Sequence, residues 1–152
     1  MNQSDFEALL EDTTKRVMGD INWLEDEDHM LNQNLGPLFT YSQVNDYTRI
    51  RTPFLYPDGD VIDLFVKEQN GNTTITDLGE TLRWLRAQSI SPRRSPKQNK
   101  LIEDVCLNHG LEFFRGMLLA RVRQGDNFAA IAMRAAQGVL RVADLWFTMH
   151  TL

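Results

Sequence analysis

The chain predicts an α+β fold, in which an antiparallel sheet of two hairpins, about five strands in all, packs with N-terminal, middle and long C-terminal helices. Three observations predict it. Asp58-Gly59 and Asn70-Gly71 each stand between apolar or alternating runs. Such pairs are strong short-range hairpin signals, because the central turn residues must tolerate positive φ. Thr76-Asp77-Leu78-Gly79-Glu80 then joins the last of these strands to a helix, and a broad apolar face recurs at helical spacing from Phe128 to Trp146. With 152 residues, 42% hydrophobic and 24% charged, the composition is ordinary for a globular protein. Residues 1–152 can form one domain with a core that needs no disulfide or metal.

In chain order, Ser4 with Glu7 three residues on has capping-box spacing, and Phe6, Leu9, Leu10, Thr13 and Val17 continue a helix to about Gly19. Residues 20–36 read as a short amphipathic turn around Trp23-Leu24 and Met30-Leu31. Loop follows at Asn32-Gln33-Asn34 and Gly36-Pro37. Residues 1–36 are thus an acidic arm. Phe39 to Val44 reads as an outlying strand.

A two-residue turn at Asp58-Gly59 sets Leu55 against Ile62 and Phe54 against Asp63. The same turn at Asn70-Gly71 sets Val66 against Ile75 and Phe65 against Thr76. Alternation then places Leu55, Ile62, Leu64, Val66 and Ile75 on one core face, and a bulge at either turn would shift the pairing by one residue. Asp77 and Glu80 have the spacing of an N-cap and its N3 carboxylate, with Leu78, Leu82 and Leu85 as the apolar stripe. Pro92 and Pro96 break that helix, and Pro96 starts the next after Ser95. Leu101, Ile102, Val105 and Cys106 form its buried side, and Asn108-His109-Gly110 its end. Two short strands near 111–115 and 117–123 meet around Gly116. A helix over 126–150 closes the chain, and its alanine-rich face would suit either the sheet or a homodimer.

Charge is unevenly spread. The net charge is −5, yet residues 1–30 hold nine acids against Lys15 and Arg16, and residues 81–100 hold six basic residues and no acid. Cys106 is the single cysteine, so no internal disulfide or structural zinc site is expected. The acidic start lacks a signal-peptide pattern, and no stretch of about 18 apolar residues spans a membrane. A reduced cytoplasm is the expected location.

Thr52-Pro53-Phe54, the Pro57 to Asp60 turn, Ile62 and above all Thr76-Asp77-Leu78-Gly79-Glu80-Thr81 resemble a bacterial and phage family catalogued as domain of unknown function 1828. The resemblance covers residues 48–125. It implies no activity and carries over no catalytic role. It does imply a prokaryotic or phage-borne protein, of a kind often associated with defence, anti-defence or toxin–antitoxin functions.

Clustered carboxylates can hold Mg²⁺ for phosphodiester cleavage, and Asp60, Asp63 and Asp77 are the metal candidates, with Asp58, Lys67 and Glu80 nearby. Nuclease strands of the restriction type carry an acid-x-Lys, but here Gly79 follows Asp77 at that position. Asp63 and Lys67 share a strand face about 13 Å apart. Turn and cap roles account for Asp58, Asp60, Asp77 and Glu80. Asp63, which interrupts an apolar strand, is either solvent-facing or paired with an arginine such as Arg83 or Arg86.

Arg83, Arg86, Arg93, Arg94, Lys97 and Lys100, with Trp84 among them, could follow a phosphate backbone. Cys106 reads as a buried thiol, and His29, His109 and His150 have no partner at catalytic spacing. No nucleotide-binding glycine pattern or cofactor motif is present. The residues therefore favour a non-enzymatic module that binds a protein partner. Its surface is Trp23, Leu24, Glu25, Asp26, Glu27 and Asp28, where apolar anchors stand among charges. A nucleic-acid-binding or degenerate nuclease domain using the basic segment is the alternative.

Overall fold

A computed structural model of the chain describes residues 2–19, 21–88 and 93–149, with the side chains of 13–26 and 149 excluded. The chain divides into two compact units, Met1–Leu38 and Phe39–Leu152.

The first unit holds helices α1 (Gln3–Gly19) and α2 (Ile21–Leu35) and a short 3₁₀ turn, Gly36–Leu38. Two expectations are corrected here. Asn2 rather than Ser4 caps α1, accepting from the Asp5 amide at 2.8 Å, and Ser4 lies inside the helix. Residues 21–35, expected as turn and loop, are one helix, which carries His29. The Asn32-Gln33-Asn34 run suggests loop by composition. However, no Gly or Pro interrupts residues 21–35, and Gly36-Pro37 ends the helix. Phe6, Leu9, Leu10, Met30, Leu31 and Leu35 are exposed.

The second unit is built on strands β1 (Thr40–Val44), β2 (Tyr47–Leu55), β3 (Val61–Gln69), β4 (Asn72–Thr76), β5 (Glu112–Phe114) and β6 (Met117–Val122). Among the described residues these form one antiparallel sheet in the order β1-β2-β3-β4-β6-β5. The α+β class is as expected, with the outlying strand present as an edge. The second hairpin has the expected register, Val66 opposite Ile75 and Phe65 opposite Thr76. Its turn residues Asn70 and Gly71 both take positive φ, 54° and 77°, as a two-residue turn requires.

The first hairpin departs from expectation. The Asp58 carboxylate accepts from the Asp60 amide at 3.0 Å, and only Gly59 has positive φ, so the loop closes one residue wider, between Tyr56 and Asp60. Leu55 therefore faces Val61, and a bulge precedes it so that Arg51, not Phe54, faces Asp63. Thr52 stabilises the bulge. Its buried hydroxyl donates to the Ile62 carbonyl at 2.7 Å and accepts from the Phe54 amide at 3.2 Å, where Pro53 can donate nothing. Leu55 is consequently 51% exposed and leaves the predicted core face, whereas Ile62, Leu64 and Ile75 are fully buried on it beside Ile50 and Leu118. Each such side chain contributes about 1.5–3 kcal/mol of burial. Arg49, Arg51, Asp63, Phe65, Lys67 and Arg121 alternate onto the other face.

Helices α3 (Glu80–Gln88), α4 (Pro96–Asn108) and α5 (Phe128–Asp144) complete the unit. Ser95 and Gln98 form the capping box of α4, with Pro96 at its start, and Ile102 and Cys106 are buried. Helix α5 packs on the sheet through Ala135, Ala136, Val139, Val142 and Ala143. The Leu111 side chain occupies the place a Cβ at Gly138 would take, so the small residue is what lets helix and chain approach. The expected unbroken C-terminal helix instead breaks at Leu145, and a four-residue turn of helix, α6 (Trp146–Met149), follows.

Candidate functional site

The Thr76–Thr81 run builds a junction between sheet and helix. Leu78 and Gly79 take positive φ, 55° and 81°, so the chain turns sharply before α3 begins at Glu80. Asp77, with no exposed surface, holds the turn. One carboxylate oxygen accepts from the Gly79 and Leu118 amides, both at 2.9 Å, and the other from the Thr81 amide at 3.1 Å. The Asp77 amide returns a hydrogen bond to the Leu118 carbonyl at 3.2 Å, and Thr76 Oγ1 accepts from the Leu78 amide at 3.1 Å. Buried Thr81 meets the Tyr56 hydroxyl at 3.1 Å. Asp77 thus accepts from the first turn of α3, but because Leu78 and Gly79 are not helical it stands ahead of the expected N-cap position, and it also reaches across to β6. Glu80 does not complete a capping box and turns instead to Arg83, at 2.7 Å.

This junction brings the turn before α3 against the β5–β6 turn. A Cβ on Gly79 would lie 3.3 Å from the Gly116 carbonyl oxygen. On the outer side of that contact is a cleft of about 370 Å³, floored by Leu78, Gly79, Leu82, Gly116 and Met117 and walled by Arg83, Arg86, Arg94 and Arg115. No carboxylate is among its lining residues. Arg83 and Arg86 stand one turn apart on α3. Arg83 donates to the Leu78 carbonyl at 3.1 Å as well as to Glu80. Arg94, just before α4, is held by Asn99 Oδ1 at 2.9 Å. Arg115 sits in the turn with φ 51°, its guanidinium 5.1 Å from the Phe114 ring centre. Arg86 has no ion-pair partner among the described residues. The Gly79, Glu80 and Thr81 amides already bond to Asp77, so anion attraction in the cleft comes from guanidinium groups rather than from the helix end.

The six basic residues singled out in the sequence are therefore divided. Arg83, Arg86 and Arg94 line the cleft. Lys97 is exposed on α4, Lys100 pairs with Asp104 at 3.0 Å, and Arg93 lies just ahead of the helix, none of them in the lining. Arg115 joins the cleft from a turn that sequence reasoning marked only by its glycine. Arg115 is exposed in that turn, where it and Gly116 both take positive φ.

The carboxylate candidates do not converge. Among the described residues no group of three or more His, Cys, Asp or Glu could hold a metal ion. Asp77 is enclosed by backbone amides. Asp63 instead pairs in bidentate fashion with Arg51, at 3.1 and 3.2 Å, rather than with Arg83 or Arg86. Asp58 accepts from the Trp84 indole at 2.9 Å, which holds its carboxyl below the ordinary range, and Asp60 is exposed. Burial pushes the Cys106 thiol up to about 11, so it stays protonated at neutral pH and is a poor nucleophile. Of the acidic-arm candidates, Glu27 is half-buried and Asp28 exposed on α2, while the side chains of Trp23, Leu24, Glu25 and Asp26 lie outside those described, as does His150.

A family model described as Domain of unknown function DUF1828 matches residues 52–142, more than half of the chain, and the chain belongs to that family. The match starts at the Thr52 bulge and runs past the resemblance read from sequence into α5, so it contains every residue of the arginine cleft. No curated protein and no solved structure matched the chain.

Proposed function

On the premise of that family membership, we propose that the chain is a binding module whose arginine cleft holds the phosphates of a nucleic acid. The observation that carries this reading is the convergence of four guanidinium groups on one cleft with no carboxylate in its lining. Arg83 already meets Glu80, but Arg86, Arg94 and Arg115 form no ion pair among the described residues, and guanidinium forks match phosphate oxygens. The overall charge of −5 does not oppose it. Setting aside the nine acids and two basic residues of the first 38 leaves residues 39–152 with 12 acids and 14 basic residues.

The test is fluorescence anisotropy with a labelled 20-nucleotide single strand over a salt series. Binding is expected to weaken with a log–log slope of about −3, at 0.7 for each of four phosphates. The Arg86→Glu/Arg115→Glu double variant should lose at least tenfold in affinity at low salt, and a Lys97→Glu/Lys100→Glu variant much less. Unbound strand at tens of micromolar protein, or equal losses in both variants, sinks the reading.

A second reading rests on the first unit. Its exposed Phe6, Leu9, Leu10, Met30, Leu31 and Leu35 lie at helical spacing among nine acids, which suits an apolar-plus-acidic protein interface. Under it, Trp23 to Asp28 contact a host or phage protein in a conflict setting. Deleting residues 1–36 should abolish capture of such a partner and leave nucleic-acid binding in place. Undiminished capture by the truncated chain removes this reading.

A further inference from the structure

We infer that the ligand of the cleft is an unpaired strand, with one base turned into a second cleft that shares Arg83. This inference rests on the phosphate-binding reading above and deepens it. The second cleft, about 610 Å³, lies between α3 and the first hairpin, and it adds the carboxylates and aromatic rings that its neighbour lacks. Where the first is walled by cations alone, the second carries Phe65, Arg51 and Trp84 together with Asp60, Asp63 and Glu80. Because Arg83 lines both, the two are adjoining compartments of one surface.

Three features suit the second compartment to a base rather than to a phosphate. Asp63 and Glu80 neutralise Arg51 and Arg83 there, which leaves Asp60 to disfavour phosphate and to accept from the amino and imino N–H groups of nucleobases. Its planar groups are held in place. Arg51 is fixed by its bidentate contact with Asp63, and Phe65 is braced edge-on by Tyr47, with ring centres 6.2 Å apart. Guanidinium planes and aromatic rings are the surfaces on which unpaired bases stack. The wall behind them is also rigid, since Trp84 stacks on Tyr56 at 5.4 Å and is tethered by its indole N–H to Asp58. A duplex keeps its bases paired inward and would bring phosphates against Asp60, Asp63 and Glu80. An unpaired strand can place phosphate and base in the compartments of matching charge.

The test compares three labelled 12-nucleotide probes of equal phosphate count: a mixed-sequence single strand, the same backbone without bases, and a duplex. The single strand should bind at least tenfold more tightly than the abasic strand. Phe65→Leu, which keeps apolar bulk and removes the ring, should weaken the single strand about five- to hundredfold while leaving the abasic strand unchanged. Asp60→Asn, at an exposed loop position that does not endanger folding, should alter base preference without changing abasic binding. Equal binding of single and abasic strands overturns this inference while leaving the phosphate reading intact. So does tighter binding of the duplex. Failure of all three probes to bind overturns both.

Discussion

Asp77 and Asp63 are both acids at the sheet in a hairpin-rich block, and their surroundings make them opposites. Asp77 is fully enclosed and receives three backbone amides, one each from the turn before α3, the first turn of α3 and strand β6. Asp63 lies on the other sheet face and meets a half-exposed arginine directly across the strand pair. The first ties separated parts of the chain together and holds in place the turn whose Leu78 and Gly79 line the arginine cleft. The second fixes a planar guanidinium on a surface. Burial and the number of segments joined, not residue type, decide what each carboxylate does.

The comparison breaks most sharply at Asp77. Asp77→Ala leaves three amides without an acceptor in a water-poor site, at about 1–3 kcal/mol each, so a loss of about 3–5 kcal/mol in urea unfolding is expected. A loss below about 1 kcal/mol would show that water or a shifted loop replaces the carboxylate. Gly79→Ala comes next, with an expected loss of about 1–3 kcal/mol. The residue has φ 81°, and the new Cβ would press on the Gly116 carbonyl oxygen. The same change should weaken nucleic-acid binding, because it pushes α3 from the turn that carries Arg115.

The Tyr56–Thr81 contact behind the junction sharpens the difference through pH. Burial raises the Tyr56 phenol well above its ordinary range. An unfolded tyrosine releases its proton near pH 10 while the folded one keeps it, so the unfolded state binds fewer protons there. This part of the stability is intact below about pH 10 and falls as pH rises beyond it. Unfolding midpoints at pH 8 and 11 should therefore diverge more for the wild type than for Tyr56→Phe; parallel midpoints would refute the coupling. The smallest effect belongs to the open face, where Arg51→Ala should shift the urea midpoint less than any substitution above, as expected of a half-exposed pair. A larger loss in urea unfolding would mean that the pair, and not the Thr52 bulge, sets the first hairpin's register.

The two hairpins show how far local reading extends. Asn70-Gly71 fixed its own register because both residues take the positive φ that a two-residue turn requires, and nothing distant interferes. At Asp58-Gly59 the same signal misled by one residue, because the Asp58 side chain widened the loop and Thr52 stabilised a bulge. The Ser95 cap with Pro96 was legible because it is complete within four residues. Helix α2 was missed because its asparagines resemble loop composition, while what decides it is the absence of a breaker until Gly36-Pro37.

By itself the sequence determined the α+β class, the second hairpin, the Ser95 cap, the family block and the basic character of residues 83–94, since all of these follow from φ preferences and side-chain chemistry within a few residues. Only the tertiary structure decided that Arg94 and Arg115 meet Arg83 and Arg86, that Lys97 and Lys100 stay outside, and that Asp63 faces Arg51. Those approaches depend on a buried carboxylate joining α3 to β6 and on two glycine turns in contact, relations between distant segments that no local pattern encodes.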